Sequence, residues 1–367
     1  MTREAQFEFL GPCVKIMRIR WAFWWSELKG VCMDRRDFLK LSGLALVGLG
    51  LRGLPALAAP ATIALPSSLG RIINWRQAIR KSADPKASIV AWKNRDEIIP
   101  LWDAVEGKAP WPSNPIWYQT DDGFVHSGYV QPVENAIQAS PVAPVPEPGI
   151  WTQVCVPVTR YSWEPGGAPV GLKMYYGTVY RVVGAAQDLD GRWWYRIQYG
   201  MTYSPGPYVL AETLRYITPE ELLPISPGRT DKHIVVNLRE QTVTCFEGDT
   251  PVFSTRISSG SGKNYTPRGD FRVYLKRHTS RMIGGDELTN DKYDLPGVAF
   301  PSYFTPSGIA FHGTYWHNDF GRPHSHGCIN VSNAAAQWIF QWTDPIVPYT
   351  DLGNDGNYQE GTLVQVV

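Results

Sequence analysis

The sequence predicts a mainly β chain built from several small modules, the last of which carries a dense cluster of reactive side chains. Three observations point there. The chain has 367 residues, more than one compact domain usually holds. Fifteen Trp and eighteen Tyr sit among 34 Gly and 30 Pro, a mixture that favours short strands and frequent turns over helix bundles. Four of the seven histidines gather with one cysteine between residues 309 and 330.

Composition narrows the partners. Hydrophobic residues make up 43% and charged residues 19%, enough to build packed cores. The formal net charge of +1 leaves no electrostatic footprint for nucleic acid, so that partner class is set aside. Five cysteines are an odd number, so at least one is unpaired or bonded to another molecule. Cys155 and Cys245 lie in apolar, alternating stretches and read as small buried hydrophobes. Cys13 and Cys32 fall in the leading segment, and Cys328 alone has polar, His-containing company.

From the start of the chain, residues 1–32 carry no pattern and read as a non-native leading segment, with translation expected to begin at Met33. Residues 33–59 read as a twin-arginine-type signal. Arg35-Arg36 is followed by the apolar run Leu44–Leu51 and the small-residue stretch Pro55-Ala56-Leu57-Ala58. The run is short and broken by Arg52, so membrane contact is expected only through this segment, if it stays uncleaved. The address implies export to the cell envelope or beyond, the periplasm or cell wall. Residues 60–85 read as a spacer helix or linker: Leu69, Ile72, Ile73 and Ile79 fall near one helical face and Pro85 ends the run.

Two stretches then share a turn, an aromatic-rich strand, a loop and a short apolar strand. These are residues 86–135, with Ile116-Trp117-Tyr118, and residues 150–224, with Trp193-Trp194-Tyr195-Arg196-Ile197. Between them, residues 136–149 hold Pro141, Pro144, Pro146 and Pro148, an extended semi-rigid connector. From residue 230 to 367 the pattern is strand-rich. His233–Leu238 and Thr242–Phe246 form a hairpin pair, Thr250–Ile257 and Gly269–Leu275 continue the sheet, and Leu363–Val367 closes it. Ser332-Asn333 can cap a helix over Ala334–Trp342 that Pro345 ends. The Gly-containing run Ser258–Asn264 lacks the residues of a phosphate loop and reads as a flexible loop, and Gly284-Gly285 to Asp294 as a loop over a cleft.

The cluster reads Ile-Ala-Phe-His-Gly-Thr from Ile309 and Ser-His-Gly-Cys-Ile-Asn from Ser325. Its chemistry follows from the thiol. A free cysteine has a pKa of about 8.5, so a neighbouring imidazole is needed to take its proton and make the stronger nucleophile. Gly327 lets backbone N–H groups come close to an oxyanion. Two other readings compete. His and Cys are common zinc ligands, but no Cys-x-x-Cys pair or His-Glu-x-x-His helix is present, so no metal is expected. The bland alternative is a solvated polar loop, and His317 and His324 are assigned to it.

His312-Gly313-Thr314 followed by Ser325-His326-Gly327-Cys328-Ile329-Asn330 resembles the signature of the L,D-transpeptidases, the YkuD-type catalytic domain, over about residues 231 to 367. Residues 150–218 resemble the bacterial Src-homology-3-like barrel, and 86–135 resemble it more weakly. The resemblance implies a mostly β catalytic domain with the thiol at the end of a cleft. It implies Cys328 as the acylated nucleophile, His312 as general base and the Gly313 carbonyl as the group that orients it. His326, Gly327 and Cys328 would line the oxyanion hole, with Ser325 supporting the loop. Asn330, Tyr303 and Phe304 would contact substrate, core packing being the alternative for the last two. No cofactor is implied. The partners implied are peptidoglycan stem peptides, with cell-wall glycan as a second partner for the barrels. The reaction expected is cross-linking through a Cys328 thioester on a tetrapeptide stem with release of D-Ala. The alternatives are L,D-carboxypeptidase action, another cysteine peptidase of the wall (disfavoured because His312 precedes Cys328) and a non-catalytic wall-binding protein.

Overall fold

The computed structural model describes residues 65–111, 113–198, 205–285, 292–355 and 360–367. The leading segment and the signal reading lie outside them, as do Cys13 and Cys32.

The first module is all strand: β1 (Leu69–Ile72), β2 (Arg76–Arg80), β3 (Ile89–Asn94), β4 (Ile98–Pro100), β5 (Asp103–Glu106), β6 (Ile116–Thr120), β7 (Gly123–His126) and β8 (Val130–Val133). They form two sheets, ordered β4-β1-β8 and β3-β2-β7-β6-β5, around Ile72, Ile79, Leu101, Val125 and Val130. This corrects the spacer helix expected within residues 60–85, and the module begins some twenty residues before residue 86. The apolar spacing fits a helix, but the backbone is needed elsewhere. A Cβ on Gly70 would lie 2.4 Å from Val130 Cγ1, so β8 can pair with β1 only against a glycine. Arg71 and Gln77, polar on the supposed outer face, are buried.

The second module holds β9 (Ile150–Val154), β10 (Val158–Ser162), β11 (Val170–Tyr175), β12 (Val179–Gln187), β13 (Trp193–Gln198), β14 (Pro205–Leu210) and β15 (Leu214–Ile217). They make one antiparallel sheet, ordered β11-β10-β14-β13-β12-β9-β15, with bulges in the β10–β11, β12–β13 and β13–β14 pairings. Such irregularities let a sheet bend over its own core, here Ile150, Val154, Tyr195, Ile197 and Val209. The Pro-rich connector lies along this core: Val142 and Val145 pack on it, and Val142 N–H donates to Tyr195 Oη at 2.6 Å.

The third module follows the expected pattern in its first sheet and its helix. Its strands are β16 (Lys232–Asn237), β17 (Thr242–Glu247), β18 (Thr250–Arg256), β19 (Gly269–Arg272), β20 (Leu275–Arg277), β21 (Thr279–Gly284), β22 (Tyr293–Ala299), β23 (Ser302–Tyr303), β24 (Ala310–Gly313), β25 (Ile329–Val331), β26 (Gly353–Asp355) and β27 (Leu363–Val366). One sheet runs β18-β17-β16-β27-β19, another β25-β24-β23-β20-β26, and β21 pairs with β22 alone. The helix α1 (Asn333–Trp342) starts at Ser332, whose Oγ accepts from Ala335 N–H at 3.2 Å. Ala336, Ile339 and Trp342 on α1 join Ile234, Val243, Phe300, Phe311, Ile329 and Val364 in one core between the sheets. Cys245 is fully buried there, as Cys155 is buried in the second module.

Candidate active site

Two adjacent parallel strands bring His312 and Cys328 to one place. β24 and β25 pair in the register Phe311↔Ile329, His312↔Asn330, Gly313↔Val331. Partners in such a pair project to the same face, and successive residues to opposite faces. Phe311, Ile329 and Val331 therefore enter the core, where all three are fully buried. His312 and Asn330 face the other way, as does Cys328 immediately before β25. They line a pocket of about 280 Å³ with Trp316, His324, Ser325 and His326, and Met282, Tyr293 and Leu295 of the β21–β22 hairpin wall it.

The imidazole is held in one tautomer. His312 Nδ1–H donates to the Gly313 carbonyl at 3.0 Å, leaving Nε2 as the ring acceptor. Burial pushes the His312 pKa down to about 4, with the Gly313 carbonyl pulling weakly the other way. The ring is therefore neutral at neutral pH and able to accept a proton. Burial pushes the Cys328 thiol up to about 11, and contact with the Ala310 backbone recovers only part of that. The resting pair is thus thiol and neutral imidazole. Sγ keeps some exposure to the pocket and makes a long contact with Gly308 O at 3.9 Å. Proton transfer to His312 requires the thiol to leave that carbonyl.

The loop before Cys328 is braced by the segment read from sequence as a flexible loop. Ser258 and Asn330 exchange two backbone hydrogen bonds of 2.9 Å. Ser259 O accepts from His324 N–H at 2.8 Å and Ser325 N–H at 3.0 Å. Thr266 Oγ1 donates to Gly327 O at 2.7 Å and accepts from Gly260 N–H at 2.9 Å. Gly260 has to be glycine: a Cβ would stand 2.1 Å from Asn264 O and 2.8 Å from Gly327 Cα. Gly327 itself sits at φ +116°, outside the range a side chain tolerates well. Its N–H donates to Ser325 Oγ at 3.1 Å, and Ser325 Oγ–H donates to Cys328 O at 2.5 Å. That use of the Gly327 N–H corrects its expected place among the oxyanion donors: it is spent inside the turn, and Ser325 is the residue that shapes the turn.

Two further expectations change, those for Phe304 and His317. Phe304 is fully buried against Phe271 and Phe311, so it is core and not a substrate wall. Tyr303 is opposite Ala310 in the β23–β24 register, which puts it on the same face as His312, close enough to Cys328 to interact with it electrostatically, and its hydroxyl donates to Ser280 Oγ at 3.3 Å. His317, read as solvated, is buried. Its ring stacks on His324 at 4.4 Å, Asp319 N–H donates to its Nδ1 at 3.3 Å, and the Asn330 amide nitrogen meets its Nε2 at 2.8 Å. A neutral imidazole that accepts at Nδ1 carries its proton on Nε2, so this contact is satisfied once the Asn330 amide turns its oxygen to the ring. The same turn gives Asn330 Oδ1 a partner it otherwise lacks and aims the NH₂ group away from His317. His324 and His326 are exposed at the pocket rim, His326 5.0 Å from the Tyr293 ring. Sequence reasoning missed Trp316, 5.7 Å from the His312 ring, and the three hairpin residues. An aromatic between two histidines of the cluster is the one signal that pointed to Trp316.

Residues 231–366 match the family model of the L,D-transpeptidase catalytic domain, YkuD. The comparison with curated proteins found no match. Among solved structures, the chain is similar to an L,D-transpeptidase from Xylanimonas cellulosilytica, at 28% identity over 39% of this chain and 64% of that one, with a TM-score of 0.27. It is similar to a mutant L,D-transpeptidase from Enterococcus faecium at 24% identity, over 37% of this chain and 50% of that one, with a TM-score of 0.30. The catalytic domain from E. faecium solved by NMR matches at 23% identity over 38% of this chain and 99% of that one, with a TM-score of 0.30. The chain spans about half the length of the first two solved chains it matches. Residues 231–366 are therefore an L,D-transpeptidase catalytic domain of the YkuD family.

Proposed function

We propose that the protein is an exported peptidoglycan L,D-transpeptidase that works through a thioester on Cys328. The observation that carries this is the shared pocket face of β24 and β25: a partly exposed thiol beside a neutral imidazole whose Nδ1 is committed to the Gly313 carbonyl. Cys328 Sγ attacks the carbonyl carbon at the third residue of a tetrapeptide stem while His312 Nε2 takes the thiol proton. The C–N bond to D-Ala breaks, and the amine leaves with the proton held by His312. An amine of a second stem then attacks the thioester. His312 takes its proton, the thiol is reprotonated, and a new amide joins the two stems. The pocket walls Met282, Leu295 and Trp316 are apolar, which supports exclusion of water during the second step. If water attacks instead, the product is a trimmed tripeptide and the enzyme is a carboxypeptidase.

The first two modules are read as small wall-binding barrels. Trp75 at 84% exposure and Trp102 at 64% on the first module support this, since flat aromatic faces suit stacking against sugar rings. Incubating the purified protein with tetrapeptide stems and weighing the products tests the whole reading. Cross-linked dimers are expected, and tripeptides alone would replace transfer with hydrolysis. Cys328→Ala should keep its fold and lose all product; turnover by that variant would end the proposal.

A further inference from the structure

A buried polar contact between modules is made by an arginine of the first strand. Arg71 is 1% exposed and uses its whole fork. Nε and Nη2 donate to Gln131 Oε1 at 3.0 and 2.8 Å, Nη1 donates to Asp96 Oδ1 at 2.7 Å, and Nη2 also donates to the carbonyl of Tyr315 at 2.5 Å. Asp96 is presented by a left-handed turn residue, φ 70°, and takes a second ion pair from Lys173 of the middle module at 2.5 Å. The guanidinium lies 4.2 Å over the Tyr175 ring, which itself stacks on Tyr315 at 5.3 Å. One side chain thus ties both small modules to the loop that separates His312 from Cys328. Tyr315 is buried, its ring stands 5.0 Å from Trp316, and Trp316 walls the pocket 5.7 Å from the His312 ring. The same loop is held again farther on, where Asn318 Nδ2 donates to Ser127 O at 3.3 Å and Arg322 lies 4.1 Å over the Trp111 ring.

We propose that Arg71 is a positioning residue for the acyl-transfer site: through the Tyr315 carbonyl it sets Trp316 against His312, so the pocket is completed by the first module. The consequence for turnover rests on the acyl-transfer reading; the anchoring of the loop does not. A planar fork is required because one group has to reach two carbonyl or amide oxygens and a carboxylate at once, which a lysine cannot do.

The test compares the full chain with Arg71→Met, Arg71→Lys and Tyr175→Leu by hydrogen–deuterium exchange and by the kinetics of acylation. In Arg71→Met, exchange over residues 314–327 should quicken on the order of tenfold while the β16–β17 hairpin exchanges as before. The kcat/KM for acylation should fall by roughly ten- to a hundredfold, the loss expected of a pocket wall displaced by about 1 Å. Alkylation of Cys328 by iodoacetamide, which needs no pocket wall, should keep its rate. Arg71→Lys should recover only part of both losses. If Arg71→Met does not fold, Tyr175→Leu decides: it removes the ring between Arg71 and Tyr315 and should loosen the same loop. Unchanged exchange over 314–327 in the folded variants overturns the proposal, as does a loosened loop with wild-type acylation kinetics. A loosened loop in a chain that no stem acylates, wild type included, would instead leave the anchoring standing and remove the transpeptidase reading.

Discussion

The thiol of Cys328 and the ring of His312 are both pushed toward their neutral forms by burial, and that decides how the nucleophile is made. A thiolate–imidazolium pair is not the resting state; the proton moves during attack. Acylation should therefore lose rate as pH falls through about 4, where His312 gains its proton, and not near the ordinary imidazole value of 6.5. Iodoacetamide labelling of Cys328 in His312→Ala should keep rising with pH toward about 11. An acid limb near 6.5 in a stopped-flow acylation profile would contradict the first expectation. His312→Ala should slow acylation by roughly a hundred- to ten-thousandfold, the usual contribution of a positioned base. Gly327→Ala meets Ile309 at 3.4 Å and holds a φ of +116°, so it should destabilise by more than ~1 kcal/mol and slow acylation, read by thermal unfolding and mass shift. The meeting of Cys328 and His312 at one pocket was legible in the sequence because a reactive thiol needs an imidazole at short spacing, whereas the Gly313 contact was implied only by the family resemblance. Phe304 and His317 were misjudged because facing is set by register with distant strands, and neighbours in sequence say nothing about it.

At the scale of elements, the Ser258–Gly260 segment does what no single catalytic residue can. It runs beside the cysteine loop, gives backbone partners to His324, Ser325 and Asn330, and meets Gly327 through Thr266. Thr266→Val removes a buried hydroxyl that serves both Gly260 N–H and Gly327 O. Leaving those groups unpaired should cost about 1–3 kcal/mol and lower the unfolding temperature by several degrees. The Ser332→Ala change at the start of α1 should cost ~1 kcal/mol with little effect on acylation. The strands β16 to β19 and β27 of the third module were readable because their alternation is regular and their turns carry Gly, Pro and Asn, whereas the hairpin β21–β22 and the short strands β23, β25 and β26 were not read. The strands from Leu69 to Arg80 were not. Their short apolar set matches two periods, and the feature that decides between them, the close pass of Val130 over Gly70, belongs to a strand sixty residues away.

Across the whole molecule, four imidazoles are buried with their pKa pushed down: His278 to about 3 by burial with Lys276 and Arg181 adding to it, His312 to about 4 by burial, His317 well below its ordinary value by burial and then His324, and His126 lowered by burial. In the unfolded chain each takes a proton near pH 6.5, so the unfolded state binds more protons and stability falls as pH drops from 6.5 toward 4. Each group removes up to ~1.4 kcal/mol per pH unit in that window. Asp96 acts lower down. Burial raises its carboxyl, but hydrogen bonds from Lys173 and Arg71 outweigh that and hold it below 3.8, so its contribution is complete above that value and is lost as pH falls through its folded pKa. Calorimetry from pH 7 to 4 should show a steady loss of unfolding temperature, and a flat profile would contradict the burial of these rings. One further consequence follows from the sheet order β18-β17-β16-β27-β19. The strand Leu363–Val366 lies between the first strand of its domain, which it joins in parallel, and Gly269–Arg272. Until Leu363–Val366 have left the ribosome, two ladder edges stand open and sticky. A ribosome stalled just short of Leu363 would therefore carry a nascent domain prone to aggregate, whatever the state of its catalytic residues.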